Sequence, residues 1–189
     1  MTLAGCGGSD TDTSSATSSS VTDLFVPPTA APRPAGHSCP SAAPDGGAAA
    51  DWDLPGATGS VAVTGSTDTA APRVDVQPPF KVTQTQVQTL KAGDGPVVAE
   101  TATVSVCYLG VNGRDGSVFD SSYERGEPVE FGLAQVVPGF QKAIAGQKVG
   151  STVAVAMIPA DGYPEGQPAA GIQPGDTLVF AIKILGASH

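Results

Sequence analysis

The chain changes its pattern near residue 74. From Val74 onward, short runs alternate apolar and polar positions at a period of two, with turn residues between them. The run "FKVTQTQVQTL" (80–90) alternates with β-branched residues and predicts an exposed, twisted strand. In "ATVSVCYLGV" (102–111), Val104, Val106 and Tyr108 fall on one face, with Ser105 and Cys107 on the other. Turn dipeptides follow in "NGRDG" (112–116). "PVEFGL" (128–133) alternates Val129, Phe131 and Leu133, and "GSTVAVAMIP" (150–159) and "DTLVFAIKIL" (176–185) continue the pattern. In the last of these, Leu178, Phe180, Ile182 and Ile184 share a face. One segment departs from it. "VVPGFQKAIAG" (136–146) spaces Phe140, Ala143 and Ile144 at helical intervals, with Pro138 near its start and Gly146 past its end, and so predicts a short helix. Together the elements predict an α+β domain over 74–189, a curved antiparallel β-sheet of about five strands wrapped on one short helix.

Before that boundary neither period is sustained. Ser, Thr, Ala, Gly, Pro and Asp dominate, a composition that buries too little apolar surface to offset chain entropy. Residues 7–73 are therefore expected to be a disordered low-complexity linker, a long tether ahead of the domain. Three apolar islands interrupt it: "LFVPP" (24–28), "DWDLPG" around Trp52, and "SVAV" (60–63). The last suits a strand added to the edge of the domain, and the first two suit transient contacts in a coil.

Composition narrows the function. The 189 residues hold 24 Gly and 17 Pro but only 14% charged residues, as expected for a small folded part diluted by linker. A net charge of -9 argues against nucleic-acid binding, which needs clustered Lys and Arg. No apolar run reaches the length of a membrane-spanning helix.

The motifs "FDSS" (119–122), "VVPGF" (136–140), "GQKVGS" (146–151) and "DTLVF" (176–180) occur in order and at suitable spacing. In combination they closely resemble the FKBP-type peptidyl-prolyl cis/trans isomerases, the family that binds macrolide immunosuppressants. The resemblance runs from about Pro79 to Leu185. It implies an isomerase acting on X–Pro bonds with no cofactor, inhibited by macrolides. A monomer acting on unfolded or exported proteins is expected, and since His37 and Cys39 have no partner pair for a zinc site, no metal. Rotation about an imide needs no nucleophile or proton relay, only relief of a resonance barrier of ~18–20 kcal/mol.

The resemblance also implies roles. Tyr108, Phe119, Phe140 and Phe180 would form aromatic walls and floor, with Val136, Val137 and Ile172 completing the lining. Val129 and Phe131 would also face substrate, though read from the residues alone Phe131 better suits the core of a half-buried sheet. Asp120 would sit at the pocket edge; read from the residues alone, it could instead cap a turn. Tyr163 would offer its hydroxyl, and Val137 its backbone N–H, to substrate carbonyls. Three positions depart from the family pattern: Phe140 replaces a common floor Trp, Val129 stands where an aromatic is frequent, and Pro164 follows Tyr163 where Gly is usual. Asp161, Glu165 and Asp176 read as solvated loop acids, and His37 and His189 are isolated.

The start of the chain bears on location. Leu3-Ala4-Gly5-Cys6 resembles a bacterial lipobox, so residues 1–6 read as the remnant of a lipoprotein signal with Cys6 lipidated. The basic and apolar regions that precede such a box do not appear in the sequence, and the natural start is expected further upstream. The Gly/Ser/Asp/Thr-rich stretch after Cys6 suits a tether, whose r.m.s. reach as a coil of ~65 residues is about 45 Å. The expectation is an anchor to the cell membrane by lipid alone, at the extracytoplasmic face.

Such a compartment permits disulfides, and Cys39 and Cys107 remain as an even pair. Alternation puts Cys107 on the outer face of its strand, within reach of a linker cysteine. A bridge would close a loop of ~68 residues, worth roughly 4 kcal/mol in the chain-entropy model. It would also pin the Trp52 segment against the domain. The other reading leaves Cys107 as a small packed residue and Cys39 as a free thiol. Besides a folding catalyst, two further classes stand open: a low-turnover proline-peptide binding module or chaperone, and a surface lipoprotein that uses the fold as scaffold.

Overall fold

The computed structural model describes residues 38–44 and 49–188; Cys6, the island 24–28, His37 and His189 lie outside them. Among the described residues, nine strands and two short α-helices follow in chain order. β1 (Trp52–Pro55), β2 (Thr58–Thr64) and β3 (Arg73–Lys81) form an antiparallel three-stranded sheet in that order. β4 (Gln86–Lys91), β8 (Thr152–Met157), β9 (Leu178–Ser188), β5 (Thr103–Asn112) and β6 (Val118–Ser121) lie side by side in a second sheet, with β7 (Val129–Gly132) also paired to β5. α1 is Ser122–Arg125 and α2 is Pro138–Ile144.

The main sheet wraps α2 as the α+β class requires. Phe140, Ala143 and Ile144 pack against Val104, Val106, Val153, Val155, Met157, Leu178, Phe180, Ile182 and Ile184 in one buried cluster. Pro138 occupies the first turn of α2, where its missing N–H costs nothing. Gly139 lets the helix lie close on β8, because a Cβ there would come within 2.7 Å of the Met157 sulfur. Cross-strand register places Gly110 opposite Phe180 and Val155 opposite Phe180 on its other side, so Phe180 sits mid-sheet.

The N-terminal part departs from the linker reading. Among the described residues of 7–73, Trp52 is not in a coil but on β1, and the "SVAV" run is not at a sheet edge: β2 pairs with β1 on one side and with β3 on the other. Val61, Val63 and Phe80 are buried against Ala154, Ala156, Val179 and Ala181, which form the other face of β8 and β9. Trp52 and Leu54 are half-buried around that contact. The physical reason lies in the main sheet itself. β8 and β9 are apolar at consecutive positions, so they carry apolar side chains on both faces and need a cover on each. The folded unit thus begins well before residue 74.

The same demand divides the predicted strand 80–90. Phe80 and Val82 belong with the cover, so β3 stops at Lys81. The chain crosses to the main sheet, with Thr85 donating to Asp161 Oδ2 at 2.5 Å, before β4 begins at Gln86. The Phe80 N–H donates to the Gly113 carbonyl at 2.7 Å, and the Gly113 N–H to Thr177 at 2.8 Å, tying the two sheets together.

A chain starting at Val74 should therefore fold poorly. Losing the burial of Val61 and Val63 alone removes about 3 kcal/mol or more. The expected outcome is a clearly lower melting temperature and binding of a hydrophobic dye, beyond the change seen in full-length Cys39→Ser, which controls for the lost bridge. Melting equal to that control would show the cover to be dispensable.

Candidate active site

The concave face of the main sheet gathers aromatic rings from four elements. Tyr108 comes from β5, Phe119 from β6, Phe140 from α2 and Phe180 from β9. Phe140 and Phe180 meet edge to face with centroids 4.9 Å apart, and Phe119 and Phe180 at 5.4 Å. Tyr108 packs edge-on to Phe140 at 5.8 Å and tilted to Phe180 at 6.2 Å. Such edge-to-face contacts hold rings in fixed orientation beyond what area burial supplies. Gly110 makes room for two of them: a Cβ there would lie 2.7 Å from Phe119 and 2.8 Å from Phe180.

The predicted apolar lining divides by depth. Ile172 is buried with this cluster, whereas Val129, Val136, Val137 and Tyr163 are half-buried against it. Phe131 is half-buried against the same cluster and packs edge-on to Phe140 at 5.5 Å. Val137 is the residue that precedes α2, and its carbonyl accepts from Phe140 at 3.0 Å and Gln141 at 3.2 Å. Among the described residues the Val137 N–H donates to nothing in the protein.

Polar groups line one edge. The Tyr108 hydroxyl donates to Asp120 Oδ2, and Arg125 donates to Asp120 Oδ1 at 2.5 Å. Arg125 also donates to the Tyr108 oxygen at 3.2 Å and stands 5.9 Å from the centre of its ring. Asp120 is thus held from both oxygens and does not cap a turn; Ser121 does that, accepting from the Glu124 N–H at 3.2 Å. Burial, and then the hydrogen bond to Asp120, push the Tyr108 hydroxyl far above its ordinary pKa. Tyr163 is pushed up to about 12 by burial and by the charge of Asp120. Both phenols therefore stay protonated, and able to donate, across the physiological range.

Arg125 is the residue that sequence reasoning missed. Its signal was its place in "FDSSYERG", five positions after Asp120 on a one-turn helix, which reads as a solvated charge. Two of the acids read as solvated are also fixed. Asp161 accepts from Lys142 at 2.7 Å and 2.8 Å and from Thr85 at 2.5 Å, which lowers its pKa and ties the loop before Tyr163 to α2. Asp176 is buried, accepting from Asn112 at 2.7 Å and from the Gln173 N–H at 2.9 Å, with Arg114 alongside at 3.3 Å. Both corrections have one cause: a carboxylate supplies several acceptors at once, so it can tie a loop to donors on other elements.

Behind the pocket wall, Cys39 and Cys107 form a disulfide with Cα atoms 5.7 Å apart. It lies on the outer face of β5, buried with Tyr123 beneath the segment that carries Cys39.

Comparison with known proteins finds relatives over about the C-terminal half of the chain. The family described as FKBP-type peptidyl-prolyl cis-trans isomerase matches residues 95–185. A probable FKBP-type peptidyl-prolyl cis-trans isomerase of Haemophilus influenzae is 42% identical over 94 residues, spanning 50% of this chain and 39% of that protein. An FK506-binding protein of Streptomyces anulatus is 41% identical over 98 residues, 49% of this chain and 77% of the relative. Among solved structures, that of FkpA from Escherichia coli superposes with a TM-score of 0.50 at 35% identity, over 55% of this chain and 48% of that one. The chain thus spans less than half of the Haemophilus and Escherichia proteins, but most of the Streptomyces one.

Proposed function

The chain belongs to the FKBP-type peptidyl-prolyl cis-trans isomerase family, and on that premise we propose that it catalyses rotation about X–Pro bonds in exported or partly folded proteins. The observation that carries the reading is the ring cluster of Tyr108, Phe119, Phe140 and Phe180, set at one edge against the fixed Asp120.

The chemistry needs little else. A planar imide is stabilised by resonance that places partial charges on its oxygen and nitrogen, and the twisted transition state has lost that polarity. An aromatic, poorly hydrated pocket therefore binds the twisted form better than the planar one, which is the differential binding that accelerates a reaction. The prolyl ring would lie among Phe119, Phe140 and Phe180, with Val136 and Ile172 closing the sides. The Val137 N–H and the Tyr163 hydroxyl are the donors for the flanking substrate carbonyls. Asp120, locked by Tyr108 and Arg125, places a fixed negative charge at the rim. Macrolides of the kind the family binds would compete for the same rings.

The same proposal places the protein outside the cytoplasmic membrane, lipid-anchored through Cys6 and acting as a monomer. Supporting it are Leu3-Ala4-Gly5-Cys6, the Gly/Ser/Thr-rich stretch that follows, and the disulfide, a bond that persists in oxidising compartments.

In a protease-coupled assay, full-length protein should accelerate cis-to-trans conversion of X–Pro peptides, with a macrolide suppressing the rate. Rates equal to the spontaneous ones for every residue tested before Pro would remove the isomerase reading; saturable peptide binding would then point to a binding module. In the native bacterium the protein should partition with membranes, and Cys6→Ser should release it or leave it unprocessed. A wholly cytosolic wild-type protein would contradict the anchor.

A further inference from the structure

The N-terminal part of the chain reaches the pocket from behind, through α1. This helix has a single turn, too short to hold its own conformation in water. Two hydrogen bonds from upstream residues hold it, and a covalent bond ties one of those residues to β5. Cys39 is bonded to Cys107, the neighbour of Tyr108 on β5. The Cys39 N–H donates to the carbonyl of Gly126, the residue that ends α1 in a left-handed conformation, at 3.2 Å. The buried Tyr123 hydroxyl, on α1 itself, donates to Ser66 at 2.9 Å. The two upstream pieces are joined to each other, because the Ala71 N–H donates to Ala42 at 2.8 Å. Cys39 and Ser66 both precede the stretch 95–185 that matches the family, so this grip belongs to the chain's own extension.

What α1 carries gives the grip its consequence. Arg125, its last residue, reaches Asp120 at 2.5 Å and the Tyr108 oxygen at 3.2 Å. Ser122, on the same turn, accepts from the Tyr108 N–H at 2.8 Å and lies 3.5 Å from the Cys39 sulfur. A displacement of α1 therefore moves the partner of Asp120 and loosens the strand position of Tyr108 together. Arg125 is about half exposed, so its ion pair adds little stability and cannot anchor the helix by itself.

We propose that Cys39, Ser66 and Tyr123 are positioning residues: they clamp α1 so that Arg125 holds Asp120 and Tyr108 in working geometry, and opening the disulfide lowers turnover through Arg125. The inference rests on the isomerase reading. Misplacing a group by about 1 Å costs up to a hundredfold in rate, so a loosened α1 is expected to show in kcat well before the fold fails.

The test is a double-mutant cycle on the full chain, with X–Pro peptides as probe, at temperatures far below the melting point of every variant. Cys39→Ser/Cys107→Ser should lower kcat/KM roughly tenfold, Arg125→Ala by a similar factor, and the combined variant no further than Arg125→Ala alone, because the two act in series. Tyr123→Phe, which keeps the ring but loses the bond to Ser66, should give a smaller loss that also vanishes without Arg125. Additive losses, or an unchanged kcat/KM after opening the disulfide, would overturn the proposal and leave the bridge a staple only. Should the oxidised wild type itself prove inactive on all peptides, the isomerase reading fails separately. The clamp is then read by hydrogen exchange at residues 124–127: faster exchange on reduction supports it, and unchanged protection overturns it.

Discussion

Burial of β8 and β9 on both faces is the constraint from which the rest of the molecule follows. Six consecutive residues of β8 and the first five of β9 are buried, so each strand sends apolar side chains in both directions. One face, with Val153, Val155, Met157, Phe180 and Ile182, receives α2 and builds the floor of the pocket. The other, with Ala154, Ala156, Val179 and Ala181, is left to β1, β2 and β3. Small residues on that outer face let the second sheet approach closely, and Phe80, Val61 and Val63 fill the space between.

The upstream extension also contributes at the pocket's polar edge. Three of the four rings, Tyr108, Phe140 and Phe180, arrive on the long strands β5 and β9 and on α2, which the core holds firmly. Asp120 and Arg125 arrive on the short β6 and on α1, at the margin of the sheet. The disulfide, the Tyr123–Ser66 bond and the Cys39–Gly126 bond stiffen that margin from outside.

The legible parts of the fold were those whose signal is local. Alternation placed Tyr108, Phe180 and Ile182 on the inner face, and Pro138 with Phe140, Ala143 and Ile144 marked α2. The upstream strands were harder, because Ser, Thr, Gly and Asp surround them and their apolar runs are short. The missed signal lay elsewhere, in the uninterrupted "VAVAM" and "LVFAI" of β8 and β9. A sheet with one wet face alternates; these runs do not, and they call for a second cover. The site residues Phe119, Phe140 and Phe180 came from resemblance and fall together in space. Arg125 stayed hidden because its role depends on a helix of one turn, and Asp161 and Asp176 because partners such as Lys142 and Asn112 are distant in sequence.

The central claim is that the proposed isomerase works by favouring a depolarised, twisted imide among aromatic rings, with no proton in flight. Burial holds the Tyr163 and Tyr108 hydroxyls above their ordinary pKa, so both are protonated in the resting site at physiological pH. The most direct measurement is kcat/KM on one X–Pro peptide in H2O and in D2O at matched acidity. The account predicts a ratio close to one; a ratio of about two or more, the mark of a proton moving in the transition state, would contradict it.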